Sequence, residues 1–458
     1  MQVNKITIGG YKNIERTTLE MQSVIALISP NNYGKSNLLD GIHFGIDFLS
    51  ASSKVRKRRM RYGKGVPKCK KNKNADFYFE IEVEEPNNTN YRYIKYGYSF
   101  IWGINKDIDS MIVDEWLYTR KDTSSKYLSL LKRQTGEYRK SRDTKAFRKL
   151  VLDDAQLSID ILSAIDDIEI YDVIETIKSI NFKSCSALEL SDEYIPRAID
   201  SRDSNEEFDF GYYDIPRILY ELRQNYPSKY KRFQEMLFKL FPEFNEIVLQ
   251  SYTFEDNHIN IRVVINDEDG EHEYVTKDKE LEVSEPNGKK EIIKYSEERY
   301  KLLINTEYLS EAVEISQMSE GTKRIIWLLT NLLVAEFQET SIVGIEELET
   351  STHPRLLKSL LEFCMENNGD STLLLTSHSP LLIQYMKLSQ IYIALPNKDG
   401  IADFKNVLGK NEKQLNKSAK DNGLSTGEYL FELMCGDRDS RIVLQDYIGG
   451  DIDDDIYL

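Results

Sequence analysis

Cysteine is scarce in this 458-residue chain: Cys69, Cys185, Cys364 and Cys435 stand far apart, and no CxxC pair occurs. Neither a disulfide framework nor a structural zinc site is expected from such spacing. Long apolar runs are missing too, and without about 18 consecutive apolar residues nothing is expected to span a membrane. The opening Met1-Gln2-Val3-Asn4-Lys5-Ile6-Thr7-Ile8 reads as a strand and lacks the apolar core of a secretory signal, so a cytoplasmic protein is expected. No internal repeat or sustained heptad pattern is evident, which argues against coiled-coil arms. Basic charge is in deficit as well: 60 Lys and Arg against 76 Asp and Glu give −16, and a general affinity for nucleic acid is not expected. The deficit is uneven, because residues 54–73 hold eleven Lys or Arg and no acid. That run reads either as a solvated loop or as a contact for nucleic acid or an acidic protein, with only Tyr62 available for base stacking.

What is present is a globular mixture, 40% hydrophobic and 30% charged, long enough for several domains' worth of chain. Val3–Ile8 and Val24–Ile28 read as strands, followed by a polar loop and a helical period over Asn37–Leu49, the start of an α/β unit. Phe77–Val83 and Tyr91–Trp102 read as antiparallel strands about a Pro86-Asn87-Asn88 turn. Ser124–Phe182 and Ile215–Phe241 read as helical. Strand signals return at Glu246–Thr253, Ile259–Ile265 and Tyr300–Ile304. Beyond them come a helix from about Glu320 and two short apolar strands, Ser341–Ile345 and Thr372–Thr376, of the kind buried on both faces of a parallel sheet. The expected division is an N-terminal lobe at 1–122, a helical insertion at 123–245, a C-terminal lobe at 246–400 and an extension at 401–458.

Three segments carry chemistry. Ser29-Pro30-Asn31-Asn32-Tyr33-Gly34-Lys35-Ser36 lies between an apolar strand and a helix, the context a phosphate-binding loop requires. Backbone N–H groups around Asn31, Asn32, Gly34 and Asn37 and the positive helix end would bind phosphates. Lys35 would reach the β and γ phosphates, and the Ser36 hydroxyl would ligate Mg²⁺. A chance Gly-Lys-Ser at a helix start is the bland alternative. Glu346 and Glu347 end a buried strand; Glu346 would hold Mg²⁺ and Glu347 would orient and deprotonate an attacking water, although paired acids also occur as solvated strand caps. His378 ends the next buried strand, placed to contact a γ-phosphate and sense its loss, where a lone histidine elsewhere is more often structural.

In this order the segments resemble the ATP-binding-cassette type ATPases, above all the soluble branch with SMC proteins and overcoming-lysogeny-defect nucleases. Ile6–Ile14 is similar to that branch's opening strand and turn, Met318-Ser319-Glu320-Gly321-Thr322 to its signature, Glu346–Pro354 to its acidic strand end with a following His-Pro, and His378 to its switch histidine. Asp214–Leu222 resembles a helix of the AAA-type ATPases common in bacterial antiphage defence. The resemblance implies an α/β head with a β-rich lobe and a helical insertion. It also implies ATP and Mg²⁺ as ligands, and head-to-tail pairing in which Ser319 and Gly321 of one copy meet the nucleotide of another. Gln156 is a candidate for the family's loop glutamine.

Ser29 stands where the loop usually begins with Gly, Glu346 where the family has Asp, and Leu348 where it has Pro, which points to slow turnover. No nuclease domain is legible after His378, and Asp451–Asp455 reads as an acidic tail. The expected role is an ATP-hydrolysing switch in antiphage defence or DNA maintenance that controls a separate nuclease or toxin. A nucleotide-locked scaffold is the alternative; a transporter ATPase is disfavoured by the long stretch between Ser36 and Ser319.

Overall fold

The computed structural model describes residues 1–62, 64–103, 110–134, 137–140, 148–149, 152–162, 168–185, 215–253, 261–267, 270–276, 280–284, 290–294, 298–350, 352–367, 369–395, 399–407 and 409–448. The chain forms two compact units. One comprises Met1–Ser186, Ala335–Thr350 and Leu357–Leu458, the other Ala187–Val334 and Ser351–Leu356. Among the described residues no helix is long and apolar enough to cross a membrane.

The first unit opens with β1 (Gln2–Tyr11), β2 (Ile14–Glu20), β3 (Val24–Ile28), α1 (Lys35–Ser50) and α2 (Ser53–Tyr62). It continues with β4 (Phe77–Glu84), β5 (Tyr93–Ile101), β6 (Met111–Arg120), β7 (Leu128–Gln134), β8 (Glu137–Lys140), β9 (Arg148–Lys149), α3 (Ser158–Leu162), α4 (Ile168–Lys178) and β10 (Phe182–Cys185). Two sheets organise it. An eight-stranded sheet runs β2-β1-β4-β5-β6-β7-β8-β9, each neighbouring pair antiparallel. In β4, Phe77, Phe79, Ile81 and Val83 are buried while the residues between them are half-buried, the period-two pattern of a strand with one face on the core. Helix α1 packs on β1 and also on β10 of the second sheet. Close approach to the antiparallel sheet rests on Gly45, where an added Cβ would fall 2.1 Å from the Phe79 ring. Phe44 and Phe48 of the same helix join a ring cluster with Phe77, Phe100 and Trp102.

The helical reading of Ser124–Phe182 is corrected over its first part, because Leu128–Gln134 is a strand paired with β6. A register shift opposite Leu117 and Tyr118 leaves Leu130 as an extra residue, so adjacent Leu130 and Leu131 are both buried. A bulge of that kind breaks strand alternation. The basic run is corrected as well. Its first half is not a loop but helix α2, and Arg56 is wholly buried. Nε of Arg56 donates to the Phe48 carbonyl at 2.8 Å and an η nitrogen to that of Leu49 at 2.8 Å, with Asp160 taking the rest of the guanidinium. These are last-turn carbonyls of α1, which have no partner within their own helix and carry its negative dipole end.

The second unit contains α5 (Ile215–Asn225), α6 (Pro227–Leu240), β11 (Phe244–Thr253), β12 (Ile261–Asp267), β13 (Gly270–Thr276), β14 (Glu280–Ser284), β15 (Lys290–Lys294), β16 (Glu298–Thr306) and β17 (Val313–Glu314). Strands β11, β16 and β17 make an antiparallel sheet on which α5 packs, and β12–β13 and β14–β15 are hairpins. Asp214, at the start of the motif read over Asp214–Leu222, lies outside the described residues; the rest of it forms α5. Helix α7 (Glu320–Phe337) comes next.

The chain then supplies β18 (Ile342–Glu346), α8 (Pro354–Asn367), β19 (Thr372–Ser377), α9 (Pro380–Gln384), β20 (Ile391–Ile393), β21 (Lys405–Asn406), α10 (Glu412–Asp421), α11 (Thr426–Cys435) and α12 (Arg438–Ile448). The second sheet has the order β10-β18-β19-β3-β20-β21, with β10, β18, β19, β3 and β20 all parallel. Strands β3 and β19 are buried at every position, as a parallel sheet covered on both faces requires. Parallel strands end along one shared edge, so the loops leaving β3, β18 and β19 lie side by side at the carboxyl edge of the sheet. The acidic tail read at Asp451–Asp455 lies outside the described residues.

Candidate functional site at the carboxyl edge of the parallel sheet

The loop from Ser29 to Gly34 joins β3 to α1. Asn32 has φ 66° and Gly34 φ 95°, so the chain bends through left-handed backbone twice, the conformation that turns successive N–H groups inward as an anion cradle. Only glycine suits position 34, since an added Cβ would also meet Ala402 at 2.5 Å. Ser29 keeps a negative φ and is fully buried, so replacing the usual Gly does not disturb the first turn. Lys35 is 7% exposed, and its Nζ donates to the carbonyls of Ser29 at 2.7 Å and Pro30 at 3.2 Å. Burial pushes its pKa down, opposed by the charges of Glu347 and Glu349. Asn31, Asn32 and Ser36 are exposed. Asn37 turns elsewhere: its amide donates to Asn13 Oδ1 at 2.8 Å, tying α1 to the β1–β2 turn.

The structure brings Ser36 and Glu346 together, the hydroxyl donating to Glu346 Oε2 at 3.1 Å. Burial raises the Glu346 carboxyl above its ordinary value; the Ser36 bond and Lys12 work against the rise, Asp40 and Glu347 with it. A hydroxyl and a carboxylate are a hard oxygen pair, and Mg²⁺ is held by one or two such protein groups completed by waters and substrate phosphates. The donor set therefore fits that ion. The extra methylene of Glu346 does not keep the pair apart. Lys12 forms an ion pair with Asp40 at 2.6 Å beside it, a feature the opening-strand motif did not single out.

Glu347 has φ 47°, a strained conformation for a residue with a side chain. Its N–H is pinned by Thr376, to the carbonyl at 3.0 Å and to Oγ1 at 3.1 Å, while Thr350 Oγ1 donates to its Oε2 at 3.0 Å. The backbone is thus held by the neighbouring strand and the carboxylate by Thr350. His378 follows β19 directly and is 45% exposed at the side chain. Its surroundings include another acid of the Glu346–Pro354 segment: Glu349 accepts from Ser377 Oγ at 2.7 Å and from the His378 N–H at 2.9 Å.

Ser319 and Gly321 belong to the second unit and are described within it. Ser319 Oγ accepts the Thr322 N–H at 3.2 Å at the start of α7, and Ser319 and Glu320 are exposed. The helix end is therefore presented outward, with the positive end of its dipole in the first turn. Gln156 sits in the loop before α3, where its carbonyl accepts from Arg133; that ties it to the antiparallel sheet. Among the described residues no group of three or more His, Cys, Asp or Glu forms a metal cluster.

Residues 1–383 match the family model described as an AAA ATPase domain. No curated protein matches the chain. It is similar in fold to the SMC head domain from Thermotoga maritima, with 12% identity, 89% of this chain and 100% of that chain covered, and a TM-score of 0.43. An SMC head bound to the C-winged helix domain of ScpA gives 13%, 90%, 100% and 0.47. An SMC head with an extended coiled coil bound to the C-terminal domain of ScpA, derived from Pyrococcus furiosus, gives 11%, 92%, 99% and 0.46.

Proposed function

The chain belongs to the AAA ATPase domain family, and from that premise we propose that it is a cytoplasmic switch ATPase that binds and slowly hydrolyses ATP with Mg²⁺. The observation that carries this is the meeting of Ser36 with Glu346 at 3.1 Å beside a Glu347 whose backbone is pinned to Thr376. The loop N–H groups cradle the phosphates, and Lys35, leaving the carbonyls of Ser29 and Pro30, meets the β and γ phosphates. Ser36 and Glu346 hold Mg²⁺, which supplies charge neutralisation at the phosphate oxygens. Glu347 accepts a proton from the attacking water, and His378 contacts the terminal phosphate.

Ser319 and Gly321 act on the nucleotide of a second copy, so the working form is a head-to-tail dimer or a larger assembly. Its output is control of a separate effector, a nuclease or toxin, in antiphage defence or DNA maintenance. The exposed side of α2 and the residues after it, within 54–73, is the contact for nucleic acid or an acidic partner. Arg56 takes no part in that contact, being buried.

One feature favours a second reading, a nucleotide-locked scaffold: the burial of Glu346 favours its protonated form, which is a poorer ion ligand. A phosphate-release assay beside a measurement of retained nucleotide separates the two. Glu347→Gln should keep ATP while turnover falls about 10²–10⁴-fold, the usual contribution of a general base. Parental turnover in that variant would remove Glu347 from the proposed role, and retained ATP without turnover in the parent would favour the scaffold.

A further inference from the structure

The carboxylate of Glu349 crosses from the end of β18 to the end of β19 and gathers the exit of that strand onto one oxygen. Oε1 accepts from Ser377 Oγ at 2.7 Å and from the His378 N–H at 2.9 Å, and lies 3.6 Å from His378 Nδ1. The side chain is 11% exposed. Two buried polar atoms in this arrangement have no hydrogen-bond partner among the described residues: Glu349 Oε2 and His378 Nδ1. A buried polar atom without a partner costs free energy, so an orphaned Nδ1 lying 3.6 Å from a carboxylate oxygen at a candidate phosphate site needs a reason.

The geometry supplies one. Nδ1 is buried although the His378 side chain is 45% exposed, so the exposure lies elsewhere on the side chain, whose other nitrogen is Nε2. We propose that Glu349 is a positioning residue for His378, accepting a hydrogen bond from Nδ1–H and so turning Nε2 outward toward the terminal phosphate of bound nucleotide. This rests on the ATPase reading of the site. A shift of under an ångström brings the 3.6 Å separation to hydrogen-bonding distance and satisfies Nδ1; such contacts are commonly loose before substrate binds and tighten with it.

The chemistry rests on the two nitrogens. With Nδ1–H given to Glu349, Nε2 of a neutral ring is an acceptor and cannot bond a phosphate oxygen, whereas a ring protonated on both nitrogens donates on both sides. The other charged groups of this corner are Glu347 and Lys35, and Lys35 feels the charges of both Glu347 and Glu349. The Ser377 and His378 N–H contacts leave the carboxylate little freedom to turn away. Glu349 therefore couples the end of β18, where Glu346 and Glu347 stand, to the histidine at the end of β19.

The test compares the full-length parent with Glu349→Gln and with both proteins in a His378→Ala background. Glutamine retains an oxygen for Ser377 Oγ and the His378 N–H and removes only the charge. Glu349→Gln should bind ATP and melt as the parent does, yet lose about 10–100-fold in kcat, the usual effect of removing the partner that orients a functional imidazole. In the His378→Ala background it should cause no further loss. An independent readout is the ¹⁵N spectrum of histidine-labelled protein, with His378 assigned by His378→Gln among five histidines. The parent should show a proton on Nδ1, and Glu349→Gln should alter the ring's tautomer or ionisation.

Parental kcat with an unchanged His378 spectrum in Glu349→Gln would overturn the proposal. So would a neutral parental ring carrying its proton on Nε2, a result that needs no variant to fold. If the parent neither binds nor hydrolyses ATP, the functional reading fails instead, and the spectrum still decides whether Glu349 orients the ring.

Discussion

Glu346 faces two opposed demands. To act as the proposed ion ligand it has to be ionised, yet its burial favours the protonated form and raises its pKa. A carboxyl whose folded-state pKa lies above its unfolded value contributes stability below the unfolded value and loses it as pH rises through the folded one. At neutral pH, without ion or nucleotide, the ionised group therefore works against folding. Glu346→Gln keeps the shape and an oxygen for Ser36 while removing that charge. Its thermal midpoint, measured by calorimetry without Mg²⁺, should rise on the order of 1 °C, while Mg²⁺-dependent phosphate release falls. A lower midpoint would mean that the Ser36 contact and Lys12 outweigh desolvation. The 3.1 Å bond makes the substitution of Glu for Asp geometrically workable, and the pKa shows where it is weak.

Helix α2 shows how one element can be misread from charge alone. Eleven cations without an acid read as a solvated run, but Arg56 is wholly buried and holds the end of α1 by two carbonyls and Asp160. Removing one member of a buried, hydrogen-bonded charge pair typically costs about 3–5 kcal/mol. Arg56→Met should therefore lower the thermal midpoint by roughly 5–10 °C, whereas Arg58→Ser on the exposed side should stay within about 0.5 kcal/mol of the parent. Equal effects of the two would show that the α1 tie is energetically idle. Elements whose environment is uniform were legible in the sequence: β18 and β19 as short apolar runs, β4 and β5 by alternation about a Pro-Asn turn, and α1 from its loop context. Strand β7 was not, because its bulge puts Leu130 and Leu131 side by side in the core and removes the period of two. Strand β20, three residues long, carries too little pattern to be seen. At the site, Lys35, Ser36, Glu346, Glu347 and His378 were legible from their positions at strand ends. The bonds of Glu349 were not, since they join it to the end of another strand across 29 residues. Asn13 escaped for the same reason, with Asn37 24 residues away.

At the scale of the whole molecule, the phosphate loop and the signature residues sit in different units of the chain. The first unit supplies Lys35, Ser36, Glu346, Glu347 and His378 from three strand ends of one sheet. The second unit presents Ser319 and Glu320 exposed at the start of α7, where a helix N-terminus favours an anion. In a head-to-tail pair each nucleotide would meet the loop of one copy and the signature of the other, and two-fold symmetry would make the two sites alike. That arrangement makes a prediction about mixtures. Lys35→Ala removes the loop's charge but leaves its signature whole; Gly321→Asp places a carboxylate against the phosphate but leaves its loop whole. Each alone should be inactive, and Gly321→Asp should still bind ATP. Mixed one to one, half the dimers would be hybrids with one whole site of two, so phosphate release should recover to about a quarter of the parental rate if the sites act independently. Native mass spectrometry would confirm that hybrids form. Hybrids present without recovered hydrolysis would reject a shared site, and full activity of Gly321→Asp by itself would remove the signature from the chemistry.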